Sequence, residues 1–248
     1  MKCMKRLFVV SDIHGHYTQL KQALDAAGFD ADDPQHLFVC CGDLFDRGSE
    51  NRKVYDYICG LDRKVLIRGN HDERLAKLLM EQRLDSYDYR NGGYYTLQEF
   101  FGPGAVDAAG NLCLLGRQGL ANHLLRMLDS MCDYFETEHY VFTHGWLPLL
   151  PDSYESRIRP DWRDADQAAW HSARYLEWQM LYNMPSRLPD KTIVCGHRHT
   201  TFAHFFDPKR APRDAGIFYG RGMIAIDAGT VLSGQVNVLV LDESVESE

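Results

Sequence analysis

Short apolar runs alternate with amphipathic stretches through the first third of the chain: LFVV at 7–10, YTQLKQALDAAG at 17–28, HLFVCCGD at 36–43, NRKVYDYICG at 51–60 and KVLIRGNHD at 64–72. Apolar runs of strand length separated by helical periodicity predict β-α-β-α-β units around a buried parallel sheet. From Glu73 to about Phe135 the pattern becomes helical, in ERLAKLLMEQRL and LANHLLRMLDSMCDYF, broken by FFGPGAVDAAGN. This predicts a helical insertion over the sheet. EHYVFTHGW and KTIVCGHRHT read as further strands that run into loops, with a second helical insertion near 164–184 between them. The tail GMIAIDAGTVLSGQVNVLVLDE predicts two antiparallel strands around a turn. With no repeat, low-complexity run or linker, one domain over 1–248 is expected.

Composition narrows the class. The 248 residues are 45% hydrophobic and 25% charged, as in a globular protein with a substantial core. A formal charge of -8 and a pI near 5.7 argue against a surface built to embrace nucleic acid, which relies on clustered Lys and Arg. No run approaches the roughly 18 apolar residues of a membrane span, and the apolar stretch after MKCMKR is too short for a secretory leader. Seven cysteines, odd in number and without CxxC spacing, suggest reduced thiols and a cytoplasmic location, not a disulfide framework.

Chemistry collects where the strands end, and in open α/β sheets ligands bind beyond the carboxyl ends of strands. Asp12-Ile13-His14 would place two ligands on one side of an extended chain, although a capping Asp and a surface His explain the same pair. Gly42-Asp43-Leu44-Phe45-Asp46-Arg47-Gly48 is more informative, because a solvated turn accounts for its Asp and Gly but not for its Arg. Gly69-Asn70-His71-Asp72 sets an amide oxygen beside an imidazole, and can also be read as a turn and a helix cap. His144 follows a fourth run, and Gly196-His197-Arg198-His199 follows a fifth. Five strand ends bearing Asp, Asn and His together make a mixed N/O site for first-row divalent metals. Trp162, Trp170, Trp178 and Tyr175 in the second helical stretch suit helix packing better than a substrate groove.

In this order the motifs resemble the calcineurin-like metallophosphoesterase superfamily, and Asp46-Arg47-Gly48 is similar to its phosphoprotein phosphatase branch. That branch includes bacterial Ser/Thr phosphatases and symmetrical diadenosine tetraphosphatases. The likeness runs from Asp12 to His199, and Ile226-Asp227-Ala228-Gly229-Thr230 is similar to the segment that closes such bacterial proteins. Asp72 stands where many phosphoprotein phosphatases carry Glu, and the second imidazole of Gly196-His197-x-His199 follows the wider superfamily.

The resemblance implies an α/β fold in which a layered β-sandwich is flanked by helices, and a centre of two divalent ions, manganese first, with iron or zinc as alternatives. Asp12, His14 and His199 would bind one ion, Asp43 would bridge, and Asn70, His144 and His197 would bind the other. A metal-bridging hydroxide would attack the phosphorus directly. His71 is the candidate general acid, oriented by Asp46, and Arg47 the candidate phosphate clamp. Arg174 is the positional candidate for a second phosphate-binding Arg, with a surface helix residue as its other reading; Arg198 and Arg68 are weaker candidates. The expected function is hydrolysis of phosphomonoesters, including phosphoserine and phosphothreonine in proteins. The alternatives are hydrolysis of a dinucleoside polyphosphate and a non-catalytic metal-bound scaffold.

Overall fold

Period-two alternation in the first strand sets the layering. In the computed structural model, which describes residues 2–151, 156–184 and 186–246, β1 (Lys2–Val10) buries Leu7 and Val9 on one face and Phe8 and Val10 on the other. β1 pairs in parallel with β2 (His36–Cys40), and β2 in parallel with β3 (Lys64–Leu66). The other edge of β1 is taken by β9 (Leu239–Glu246), antiparallel, with Val9 opposite Leu239. A second sheet has the order β4 (Tyr134–Glu136), β5 (Tyr140–Thr143), β6 (Thr192–Cys195), β8 (Met223–Ala225), β7 (Phe218–Gly220), parallel at its centre and antiparallel at both edges. Leu7, Val9 and Val39 from the first sheet meet Phe142, Val194 and Ile224 from the second in one buried cluster. The layered β-sandwich implied by the motifs is therefore present.

Helices cover both outer faces. α1 (Tyr17–Ala27) and α2 (Asn51–Gly60) join the strands of the first sheet, and Leu20, Leu24, Val54 and Ile58 pack with Phe8 and Phe38. α3 (Asn70–Glu81), α4 (Ser86–Asn91), α5 (Gly93–Phe101) and α6 (Gln118–Asp129) extend that layer through Leu75, Leu97 and Leu124. The helical stretch thus begins at Asn70, not at Glu73, so two candidate site residues sit in the first turn of a helix. Over the second sheet lie α7 (Gln167–Arg174) and α8 (Trp178–Leu181). Trp162, Trp170 and Trp178 are buried there, as packing residues should be. Among the described residues no helix is long and apolar enough to cross a membrane.

The tail departs from expectation. Its two strands exist, but β8 lies in the second sheet and β9 in the first, with α9 (Thr230–Ser233) on the crossing between them. Alternation in a strand specifies which side chains are buried but not which edge they join. The free edge of β1 takes β9 and buries Leu239 between the sheets.

Trp178 anchors the second helical layer: it is fully buried, its ring stacks 5.3 Å from Phe218, and its indole N–H donates to Arg198 O at 2.7 Å. Trp178→Ala should lower unfolding free energy by about 3–5 kcal/mol, read from urea denaturation midpoints.

Candidate metal centre

Loops after β1, β2, β3, β5 and β6 converge, laced by backbone hydrogen bonds. Asp12 N donates to Gly42 O and His14 N to Asp43 O, each at 3.0 Å, and Gly196 N donates to His144 O at 2.8 Å. Space is tight: a Cβ on Gly196 would lie 2.3 Å from Asp12 Oδ2. The expected extended geometry at Asp12-Ile13-His14 is not what brings the pair together. β1 ends at Val10, and Asp12 (φ 52°) and His14 (φ 47°) are both left-handed. Asp43 (φ 59°), Asp46 (φ 73°), Arg47 (φ 69°) and His197 (φ 65°) share this conformation, which among the described non-glycine residues occurs elsewhere only at Gln82 and Ser156. Strained backbone is concentrated at the site.

Asp43 lies at the middle. Its Oδ2 is 3.6 Å from His14 Nε2 and 3.5 Å from His144 Nε2, so one carboxylate oxygen faces two imidazoles. Asn70 Oδ1 lies 2.9 Å from His144 Nε2 and 3.0 Å from His197 Nδ1, and Asp12 Oδ1 lies 3.9 Å from His14 Nε2. Two clusters result, His14–Asp43–His71 and Asp43–His144–His197, within each of which the ligand atoms come within 4.8 Å of one another. Nitrogen and hard oxygen donors at this spacing fit divalent first-row ions.

The surrounding bonds aim these donors. His14 Nδ1–H points to Phe45 O at 2.9 Å and His144 Nδ1–H to Cys41 O at 2.7 Å, which leaves both Nε2 lone pairs facing inward. Asp12 Oδ2 accepts from His197 N at 2.9 Å and from the Ser11 hydroxyl. Asp72 accepts from Asp43 N at 2.8 Å, Leu44 N at 3.1 Å and Gly69 N at 2.9 Å, tying two ligand loops together. The helix-cap reading of the sequence anticipates the bond to Gly69 N, but not those to Asp43 N and Leu44 N, backbone amides that no residue pattern records.

Burial and crowding set the protonation states. Burial, and then the neighbouring Asp43, push Asp12 up to about 6. Burial likewise raises Asp227, beside Asp12, well above the ordinary carboxylate range. Burial also works to raise Asp43, but the imidazoles of His144, His71 and His14 outweigh it and hold Asp43 far below that range. Burial takes His14 well below 6.5 and His197 down to about 3. Neutral imidazoles at His14 and His197, beside crowded carboxylates, are the state a cation requires.

Beside this centre His71 Nδ1–H donates to Asp46 Oδ2 at 2.7 Å. Arg47 spans the first cluster, Nη1 lying 3.0 Å from His14 Nε2 and Nη2 2.9 Å from His71 Nε2. Tyr175 is exposed, its ring 6.2 Å from that of His197, so it stands apart from the three packed tryptophans.

Two residues are not gathered as expected. His199 Nδ1 pairs with Thr201 Oγ1 at 2.5 Å and its ring rests 4.7 Å from Phe202. The left-handed turn at His197 ends the alternation that would have aimed both imidazoles one way. Arg174 is buried, and its guanidinium is held by Glu73 Oε1 at 2.5 Å and by Asp133 Oδ1. Two carboxylates already engage both terminal nitrogens of the side chain that was a candidate for phosphate, while its Nε–H is buried without a hydrogen-bond partner.

Residues 5–216 match the sequence profile of the calcineurin-like phosphoesterases, and the chain belongs to that family. Relatives within it can then be placed. A symmetrical bis(5'-nucleosyl)-tetraphosphatase of Buchnera aphidicola is 38% identical over 69 residues, covering 27% of this chain and 24% of its own length. The alignment thus spans only about a quarter of that relative. Serine/threonine-protein phosphatase 2 of Salmonella typhimurium is 28% identical over 204 residues, 81% of this chain and 84% of the other. The crystal structure of a cold-active protein-tyrosine phosphatase from a psychrophilic Shewanella superposes with a TM-score of 0.55 at 18% identity, over 96% of this chain and 75% of that one. The motif-based reading of the family and its fold is borne out.

Proposed function

We propose that this chain is a binuclear-metal-dependent phosphatase that hydrolyses phosphomonoesters, with phosphoserine and phosphothreonine in proteins as its substrate class. The observation that carries this reading is Asp43 Oδ2, equidistant within 0.1 Å from His14 and His144, with an acid and a guanidinium alongside. The Salmonella relative, aligned over most of both chains, favours the protein substrate.

Asp12 and His14 would hold one ion, Asn70, His144 and His197 the other, and Asp43 both; manganese suits the set, with iron or zinc as alternatives. Such ions would supply Lewis acidity and make a water acidic enough to lose its proton near neutral pH, providing the hydroxide that attacks phosphorus. Arg47, drawn from its two imidazoles onto the phosphate, presents paired N–H groups to the phosphoryl oxygens. That movement frees His14 Nε2 as a donor and lets His71 Nε2 carry a proton. Burial disfavours protonation of His71, but Asp43 and the hydrogen-bonded Asp46 outweigh it and hold the ring above 6.5. The Nε2 proton then passes to the departing oxygen. Free thiols at Cys40, Cys41, Cys59, Cys113, Cys132 and Cys195 fit the reducing cytoplasm.

A second reading, hydrolysis of a dinucleoside polyphosphate, is favoured by the short match to the tetraphosphatase. Protein reconstituted with manganese and assayed against phosphopeptides, nucleotides and diadenosine tetraphosphate separates the two. Turnover of phosphopeptides is expected, preferential cleavage of the dinucleotide transfers the assignment, and inactivity on the whole panel overturns both.

Arg47→Ala should reduce kcat/KM about 10²-fold, and Arg47→Lys should restore only part of it, because ammonium lacks the paired donors. Arg174→Met should leave KM unchanged. Steady-state kinetics on p-nitrophenyl phosphate checks both.

A further inference from the structure

The helical layer after β3 reaches into the catalytic loop. Thr96 and Glu99 stand one turn apart on one face of α5. Thr96 is fully buried and donates its hydroxyl to Asp46 Oδ1 at 2.6 Å, on the side of the carboxylate opposite His71. Glu99 accepts from Asn51 N at 3.0 Å, Asn51 Nδ2 at 2.8 Å and Arg52 N at 2.8 Å. Asn51 Oδ1 in turn accepts from Asp46 N at 2.9 Å. Gly92, just before α5, lies so close to the loop that a Cβ there would meet Arg47 N at 2.3 Å. The strained Asp46-Arg47 backbone is therefore held from α5 at both its main chain and its carboxylate.

We propose that Thr96 is a positioning residue for His71, acting through Asp46, and that α5 is thereby part of the catalytic apparatus. The inference rests on the reading of His71 as the acid. A carboxylate rotates readily about its terminal torsion unless both oxygens are engaged. Short bonds from Thr96 on one side and His71 on the other fix that rotation, and the fixed Oδ2 sets the plane of the imidazole and the direction of Nε2. A methyl group in place of the hydroxyl leaves Asp46 Oδ1 buried without a donor, so the carboxylate turns and the ring loses its aim.

The test compares glycerol 2-phosphate, whose alkoxide must be protonated as it leaves, with p-nitrophenyl phosphate, whose weakly basic phenolate need not be. In manganese-loaded protein, Thr96→Val should lower kcat on glycerol 2-phosphate about ten-fold, with a much smaller loss on p-nitrophenyl phosphate and unchanged KM. Thr96→Ser should keep the wild-type ratio. In metal-free protein, the downfield proton resonance of His71 Nδ1–H, identified by its loss in His71→Asn, should shift or vanish in Thr96→Val and persist in Thr96→Ser. Thr96→Ala replaces the valine variant if that chain does not fold. Equal losses on both substrates, a serine variant as slow as the valine one, or an unmoved resonance would each overturn the proposal. If His71→Asn itself leaves the substrate ratio unchanged, the acid reading fails; if it changes the ratio and Thr96→Val does not, only Thr96 is excluded.

Discussion

Asp43→Asn is expected to strip the centre and abolish turnover together. Asp43 Oδ1 accepts from the backbone N–H of His71 at 2.9 Å. A carboxamide would therefore keep its oxygen on that side and turn its NH₂ toward His14 Nε2 and His144 Nε2, donors facing the two nitrogens that need a cation. Neither ion then has its shared oxygen. Metal content by atomic spectroscopy should fall from two ions per chain to one or none. Activity should drop on the order of 10³-fold or more, because the charge stabilisation lost amounts to several kcal/mol. A variant that kept both ions and most of its rate would overturn the bridging role.

His71→Asn should behave differently, with both ions retained and kcat on an alkyl phosphomonoester reduced about 10²–10⁴-fold, the usual contribution of general acid catalysis. Asn can still accept or donate near Asp46 but has no proton to release at neutral pH. The loss should shrink on p-nitrophenyl phosphate. If metal binds stoichiometrically and neither substrate notices the change, the non-catalytic scaffold gains ground.

The layers and the ligand loops were legible in the sequence for one reason. Strand-length apolar runs locate the sheet, and each run ends in Asp, Asn or His, so the convergence of Asp12, Asp43, Asn70, His144 and His197 follows from topology alone. Side-chain direction was not legible. Two-residue spacing counted His14 and His199 alike, yet after the left-handed turn at His197 that ring meets Asn70 while the ring of His199 pairs with Thr201. Arg174 could be placed near the centre by position, but its carboxylate Glu73 lies 101 residues away along the chain. Thr96, 50 residues from Asp46 in a stretch that reads as ordinary helix, carried no local sign of its partner.

The six left-handed residues at the centre also oppose durability to chemistry. Glycine adopts that conformation freely, whereas Asp12, His14, Asp43, Asp46, Arg47 and His197 occupy it with side chains that the proposed reaction uses. Selection for heat resistance alone, in a library judged by folding and blind to turnover, should enrich glycine at these positions and return robust, inert proteins. The same map tells an engineer where to leave the chain alone: thermostability is better sought in the helical layers and at the sheet edges, where no residue is asked to be both uncomfortable and indispensable.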